Sequence, residues 1–122
     1  MAGKQLALKV TMLPKDTNAR GTIFGGIILS HIDLAGAVTA REHAAKDFVT
    51  RAMHEVGFIA PVYVGDVVSF YTEVVKEGKT SVTVQVDVEA ERYSDPGKRV
   101  TVTKAEVVYV AIDNNGKTTP IR

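Results

Sequence analysis

Between Phe24 and about Ala45 the chain runs without proline, carries alanine at positions 35, 37, 40, 44 and 45, and sets apolar groups on most sides of a helical projection. A helix of that kind has to be enclosed by protein, because it leaves no broad polar face for water. It is also the only long helix the sequence offers. At ~1.5 Å per residue, about twenty residues make a rod of roughly 30 Å, comparable to the width of a small domain. The remainder of the chain must therefore wrap around it.

That remainder reads as strand. Leu6 to Met12 alternates apolar and polar residues, after which Pro14, Asp16 and Asn18 mark a loop. A β-rich run from Phe48 to Phe58 is separated from a second, Asp66 to Val75, by Ala60-Pro61 and Val64-Gly65-Asp66. A turn at Glu77-Gly78-Lys79 leads into Ser81 to Glu89, where Val82, Val84, Val86 and Val88 define one face and Thr83, Gln85, Asp87 and Glu89 the other. Ser94 to Lys98 forms another loop. Val100 to Ile112 is a last long strand whose alternation slips near Lys104, as a bulge would cause. Consecutive strands joined by short turns, with one helix after the first, imply an antiparallel sheet curled around that helix, an α+β fold.

The 122 residues contain no Pro/Gly/Ser-rich linker, so a single domain over 1–122 is expected. Fifteen basic and fourteen acidic side chains are scattered along it, without the basic stripe of a nucleic-acid binder. The absence of cysteine excludes disulfide scaffolds, thiolate zinc sites and cysteine nucleophiles. No apolar run approaches the roughly 20 residues that span a bilayer, and the N-terminus has no continuous signal-like core, so no membrane association and a cytoplasmic location are expected.

Within the apolar part of the helix, from Ile27 to Val38, stands one acid, Asp33, among Ile27, Ile28, Leu29, Ile32, Leu34, Ala35 and Val38. Burying a lone carboxylate is costly, which points to a use for it, although acids also occur on helix faces simply for solvation. The pair Gly25-Gly26 is costly inside a helix and fits its start, where bare N–H groups and the positive end of the dipole suit an oxygen gaining charge during acyl transfer. The same pair would also permit close packing of backbone. Asp33 follows Gly25 by eight residues, about two turns, on nearly the same side. Ser30, His31 and Asp33 cannot form a triad along one helix, and His43 complements the dipole at the helix end. His54-Glu55 is not part of an HExxH motif, because residue 58 is phenylalanine, and no metal site is visible. Lys79, Thr80 and Ser81 read as a hairpin turn whose lysine and hydroxyls can also meet a phosphate or an amide. Arg92, Lys98 and Arg99 flank a loop and are candidates for phosphate contact on charge alone. Neither a P-loop nor a GxGxxG motif is present.

Asp16-Thr17-Asn18, Gly21, Ile23-Phe24-Gly25-Gly26, Ser30, Asp33 and Gly36 together resemble the signature of the hotdog-fold acyl-CoA thioesterases, particularly the YciA-like branch. The resemblance continues through Phe58, Pro61, Val64-Gly65-Asp66, Gly78, Thr80-Ser81 and Asp113. It implies a five-stranded antiparallel sheet wrapped around one helix, dimers with a continuous sheet, a hexamer built as a trimer of dimers, and active sites between subunits. It further implies Asp33 as general base or nucleophile, backbone N–H groups of Gly25 and Gly26 polarising the thioester carbonyl, and Asn18 and the Gly21 loop bordering the site. Thr80 and Ser81 would lie along the pantetheine arm of a neighbouring chain. The substrate would be an acyl-CoA, with no metal and no redox cofactor. Thr22 and His54 stand where relatives often carry other polar groups. A hotdog dehydratase would need a histidine ahead of Gly25, which is missing, and a non-catalytic acyl-CoA sensor usually adds a DNA-binding segment.

Overall fold

The alternating valines of the central strand set the architecture. In the computed structural model, which describes residues 3–54 and 56–122, five strands form one antiparallel sheet. They are β1 (Gln5–Thr11), β2 (Asp47–His54), β3 (Val67–Glu77), β4 (Ser81–Glu91) and β5 (Arg99–Ile112), in the order β1-β3-β4-β5-β2. The helix α1 (Gly25–His43) lies across the inner face. Val82, Val84, Val86 and Val88 of β4 are wholly buried beneath it, beside Val68 and Phe70 of β3 and Val107 of β5. From above, α1 contributes Ile28, Ile32, Ala35, Gly36, Thr39 and Ala40. Each fully buried valine or isoleucine stabilises by about 1.5–3 kcal/mol relative to exposure, so this layer supplies most of the driving force for folding. Among the described residues, no helix is long and apolar enough to cross a membrane.

Several boundaries differ from the sequence-based expectation. The run from Phe48 to Phe58 is not one strand: β2 ends at His54, and the chain then leaves the sheet. Glu55, adjacent to His54, lies outside the described residues. The helix closes at His43, and β3 begins at Val67 and extends to Glu77. The slip expected near Lys104 falls at Val102, because Val88 faces Thr103 while Glu89 faces Thr101. A second irregularity in β2, between Thr50 and Ala52, gives Arg51 no opposite partner in β5.

The polar face of β4 is also less exposed than its alternation implies, since Asp87 is only 6% accessible. Lys4 pairs with its carboxylate, Gln85 donates to it at 3.1 Å, and Lys104 stands opposite on β5. Burial pushes the Asp87 carboxyl up, but the Lys4 and Gln85 hydrogen bonds and the charges of Lys4 and Lys104 outweigh it and hold the group below the usual carboxylate range. A carboxyl whose folded pKa is depressed stabilises the fold above its unfolded value, near 4, and loses that contribution as the pH falls through the folded value. Asp87→Asn is therefore expected to flatten the fall in Tm on acidification below about pH 4, in thermal melts across pH. An unchanged acid limb would show that Lys4 and Lys104 do not act through Asp87.

Candidate active site

The approach to α1 is built from local hydrogen bonds. Asn18 folds the loop on itself: its carboxamide donates to the Thr22 hydroxyl at 2.9 Å and accepts the Arg20 N–H at 2.9 Å and the Thr22 N–H at 3.3 Å. Gly21 closes that turn with a φ of 86°, a conformation that favours glycine. The Phe24 N–H then bonds the Asp16 carbonyl at 2.9 Å, and the Ile23 N–H bonds the Val62 carbonyl at 2.8 Å. Phe24 is extended and gives the helix no side-chain cap, so the N–H groups of Gly25 and Gly26 have no intrahelical acceptor. The two glycines serve different ends. A Cβ on Gly26 would come within 2.5 Å of the Phe24 ring, whereas one on Gly25 would make ordinary contact with Phe58 at 3.5 Å.

Beside this helix start lies an apolar cavity of about 370 Å³, lined by Ile23, Gly25, Ile28 and the segment from Phe58 to Val62. That segment is hung from a sheet irregularity. The Ile59 N–H bonds the carbonyl of Val102, the extra residue of β5, at 2.7 Å, and the Thr103 hydroxyl donates to the Gly57 carbonyl at 2.7 Å.

Asp33 sits two turns along α1, partly buried, where the helix crosses β5 and β2. The hydroxyl of Thr50 on β2 donates to its Oδ1 at 2.6 Å, fixing the carboxylate. From β5, the Tyr109 hydroxyl donates to the Asp33 backbone carbonyl at 2.6 Å. Burial pushes the Tyr109 hydroxyl far above its ordinary value, and the neighbouring Asp33 charge adds to the rise, so it remains a neutral donor. Gly36 makes this contact possible, because a Cβ there would lie 3.0 Å from the Tyr109 ring and still closer to its oxygen. Asp33 is eight residues beyond Gly25, a rise of about 12 Å. The carboxylate thus cannot touch a carbonyl carbon whose oxygen is held by the N–H groups of the same helix.

The other candidates are spread over the fold. Lys79, Thr80 and Ser81 form the β3–β4 hairpin at the far end of α1, next to Glu77, which accepts from His43 Nε2 at 2.7 Å. Their carbonyls take the N–H groups of Ile121, Ala111 and Gly78, each at 2.8 Å, and the chain does not bring them to its own Gly25. Arg92 departs from the expectation of a free cation. Its guanidinium donates to Asp66 at 2.7 Å and the Pro61 carbonyl at 2.8 Å, and the side chain is only 11% exposed. Lys98 and Arg99 are exposed at the β4–β5 connection, with Arg99 Nε 3.7 Å from Glu91. His31 donates through Nδ1 to the Ile27 carbonyl at 2.8 Å and stacks on Phe70, which engages it structurally. A second hollow, about 380 Å³, lies beside the C-terminal half of α1 among Gln5, Thr39, Glu42, His43, Thr72 and Glu73, and contains none of the candidate site residues. Sequence reasoning missed Thr50 and Tyr109, whose hydroxyls meet Asp33 from 17 and 76 positions away. A threonine and a tyrosine within strands carry no local sign of such a partner.

A five-stranded antiparallel sheet around one helix, with an uncapped glycine start and a hydroxyl-held aspartate, is the setting in which the family relationship can be read. The thioesterase superfamily model matches residues 20–94, and the chain belongs to that superfamily and has the hotdog fold. The acyl-CoA thioester hydrolase YciA of Salmonella typhimurium is 41% identical over 119 residues, covering 96% of this chain and 90% of that protein. A hexameric hotdog-fold thioesterase of Campylobacter jejuni is 45% identical with a TM-score of 0.90, covering 96% of this chain and 90% of that one. A hexameric thioesterase from Yersinia pestis is 37% identical with a TM-score of 0.92, covering 100% and 98%.

Proposed function

We propose that this chain is an enzyme hydrolysing acyl-CoA thioesters to CoA and a carboxylate, with Asp33 as the group that drives attack. The observation that carries the reading is the Asp33 carboxylate, oriented by Thr50 at 2.6 Å on a helix whose own start presents free N–H groups beside an apolar cavity. The similarity to acyl-CoA thioester hydrolases supports the substrate class. As general base, Asp33 takes a proton from water as the water oxygen bonds to the thioester carbon. The carbonyl oxygen gains the negative charge, and N–H groups of Gly25 and Gly26 stabilise it. Collapse breaks the C–S bond, and the proton passes to the departing CoA thiolate. As nucleophile, the same carboxylate would bond to the thioester carbon and expel CoA as its thiolate, leaving an acyl anhydride that water opens to the free acid, with the Asp33 carboxylate regenerated. No metal or redox step enters either route.

The rise of about 12 Å between Gly25 and Asp33 supports a site completed by a second copy, with the aspartate of one chain serving the helix start of another. Leu34 and Val38, one turn apart on α1 at 58% and 43% exposure, give an apolar face next to Asp33 for that contact. The hexameric relatives support a hexamer here, and its construction as a trimer of dimers is part of this proposal. The arrangement would let Lys79, Thr80 and Ser81 of a neighbouring hairpin approach the pantetheine arm, and Lys98 and Arg99 the CoA phosphates. Each chain is proposed to be a single domain over 1–122, working within that assembly without a cofactor beyond the CoA of its substrate.

The test is CoA release from short, medium and long acyl-CoAs. Turnover supports the reading, and acyl-CoA binding without turnover would replace it with a sensor. Thr50→Val, which removes the hydroxyl but keeps the shape, is expected to lower kcat about 10- to 100-fold, the worth of a hydrogen bond to a charged group, with little change in KM. An unaltered kcat would remove Thr50 from any role in orienting Asp33.

A further inference from the structure

We infer that Arg92, acting through Asp66 and Pro61, is a positioning residue that sets acyl-chain specificity. The inference rests on the acyl-CoA reading above and assigns the apolar cavity to the acyl group. Arg92 Nη1 donates both to Asp66 Oδ2 at 2.7 Å and to the Pro61 carbonyl at 2.8 Å. The guanidinium also lies over the Tyr63 ring, 4.8 Å from its centroid. Asp66, 1% accessible, accepts the backbone N–H groups of Tyr63 at 3.0 Å and Tyr93 at 2.9 Å. One buried ion pair thus joins the segment entering β3 to the end of β4, and that segment begins with Pro61 and Val62 of the cavity wall.

The wall hangs from β5 at Gly57 and Ile59, and the Val62 carbonyl accepts the Ile23 N–H at 2.8 Å. Residues 56–66 carry no sheet ladder, and proline has no N–H to donate, so at Pro61 the carbonyl is the one backbone group that can be tied, and Arg92 ties it. Gly65 lies under the Tyr93 ring with a φ of 88°, which leaves the turn no room to tighten if the pair is lost. Removing the arginine strands the Asp66 charge in a dry site, and the segment must move to hydrate it. Pro61 and Val62 move with it. The distance from Ile28 across the cavity changes, and with it the fit of the acyl chain. Neither Arg92 nor Asp66 forms or breaks a bond in the reaction.

The experiment compares the full-length protein with Arg92→Gln and Arg92→Lys at matched oligomeric state, measuring kcat and KM on acetyl-, hexanoyl- and dodecanoyl-CoA. Binding of the corresponding non-hydrolysable thioethers is measured in parallel. Arg92→Gln is expected to change the ratio of kcat/KM between the best substrate and acetyl-CoA by about tenfold, mainly through KM, the scale of one or more misplaced methylenes. Arg92→Lys, which retains the charge, should recover much of the profile. If Arg92→Gln does not fold, Arg92→Lys carries the test, with a smaller shift of the same pattern expected. A profile that stays unchanged, or falls by one factor at every chain length, would overturn the inference and leave Arg92 a purely structural residue. Absence of turnover in the unmodified protein would instead defeat the hydrolase reading. The thioethers then decide the inference alone: it stands if Arg92→Gln reshapes the chain-length dependence of binding, and falls if it does not.

Discussion

Asp33→Asn is expected to lower kcat/KM by roughly 10³-fold on every acyl-CoA that the protein hydrolyses, within the range for loss of a positioned general base. The fall should lie in kcat, because the carboxamide keeps the shape and can still accept from Thr50, while it no longer takes a proton from water or attacks carbon. The fold should be spared, since Tyr109 binds the backbone carbonyl of residue 33 and not its side chain. Steady-state kinetics at matched oligomeric state read the result. If full turnover survived, catalysis would lie elsewhere in the site, and the general-base and nucleophile routes would fall together.

Gly36→Ala is the stability counterpart. A Cβ at that position intrudes on the Tyr109 ring and hydroxyl, so α1 must lift from β5 or the tyrosine must swing away. Overpacking of this kind costs about 1–3 kcal/mol, to which loss of the bond to the Asp33 carbonyl adds about 1 kcal/mol. The expected result is a Tm lower by several degrees, with reduced kcat because the displaced segment carries Asp33. Tyr109→Phe relieves the closest part of the clash. The Gly36→Ala/Tyr109→Phe pair should therefore be less destabilised than the sum of the single variants, a coupling that thermal denaturation measures directly. Strict additivity would mean that glycine is needed there for another reason.

The sequence exposed those features whose cause is local. Alternation in β4, the proline-free apolar stretch of α1 and the turn residues between strands were enough to read a sheet wrapped on a helix, because side-chain period and backbone geometry act over a few residues. Val56 and Phe58 misled for the same reason: they are apolar and look like a continued strand, yet the chain has already left β2, and Phe58 lines the cavity. Asp33 and the glycine pair were legible as unusual residues for their setting. Their partners were not. Arg92 looked like a solvated loop cation since Asp66, which neutralises it, is 26 positions away. Gly36 stood in the motif without a reason until Tyr109, brought across by the sheet, supplied one. Pairings of this range depend on register and crossing geometry, which composition and periodicity do not encode.

The tethering of residues 57–62 to the bulge at Val102 and to Thr103 has a consequence for how such an enzyme can change over evolutionary time. The Phe58–Ala60 part of the cavity lining is supported by backbone groups and by a few polar side chains outside the valine layer that drives folding, whereas Ile23, Ile28 and Val62 belong to the core. Ile59 and Phe58, at 70% and 48% exposure, can thus be exchanged at a cost typical of surface positions, about 0.5 kcal/mol or less. New substrates become accessible by rewriting a short strip of sequence, while the sheet and the helix that carries Asp33 are inherited intact.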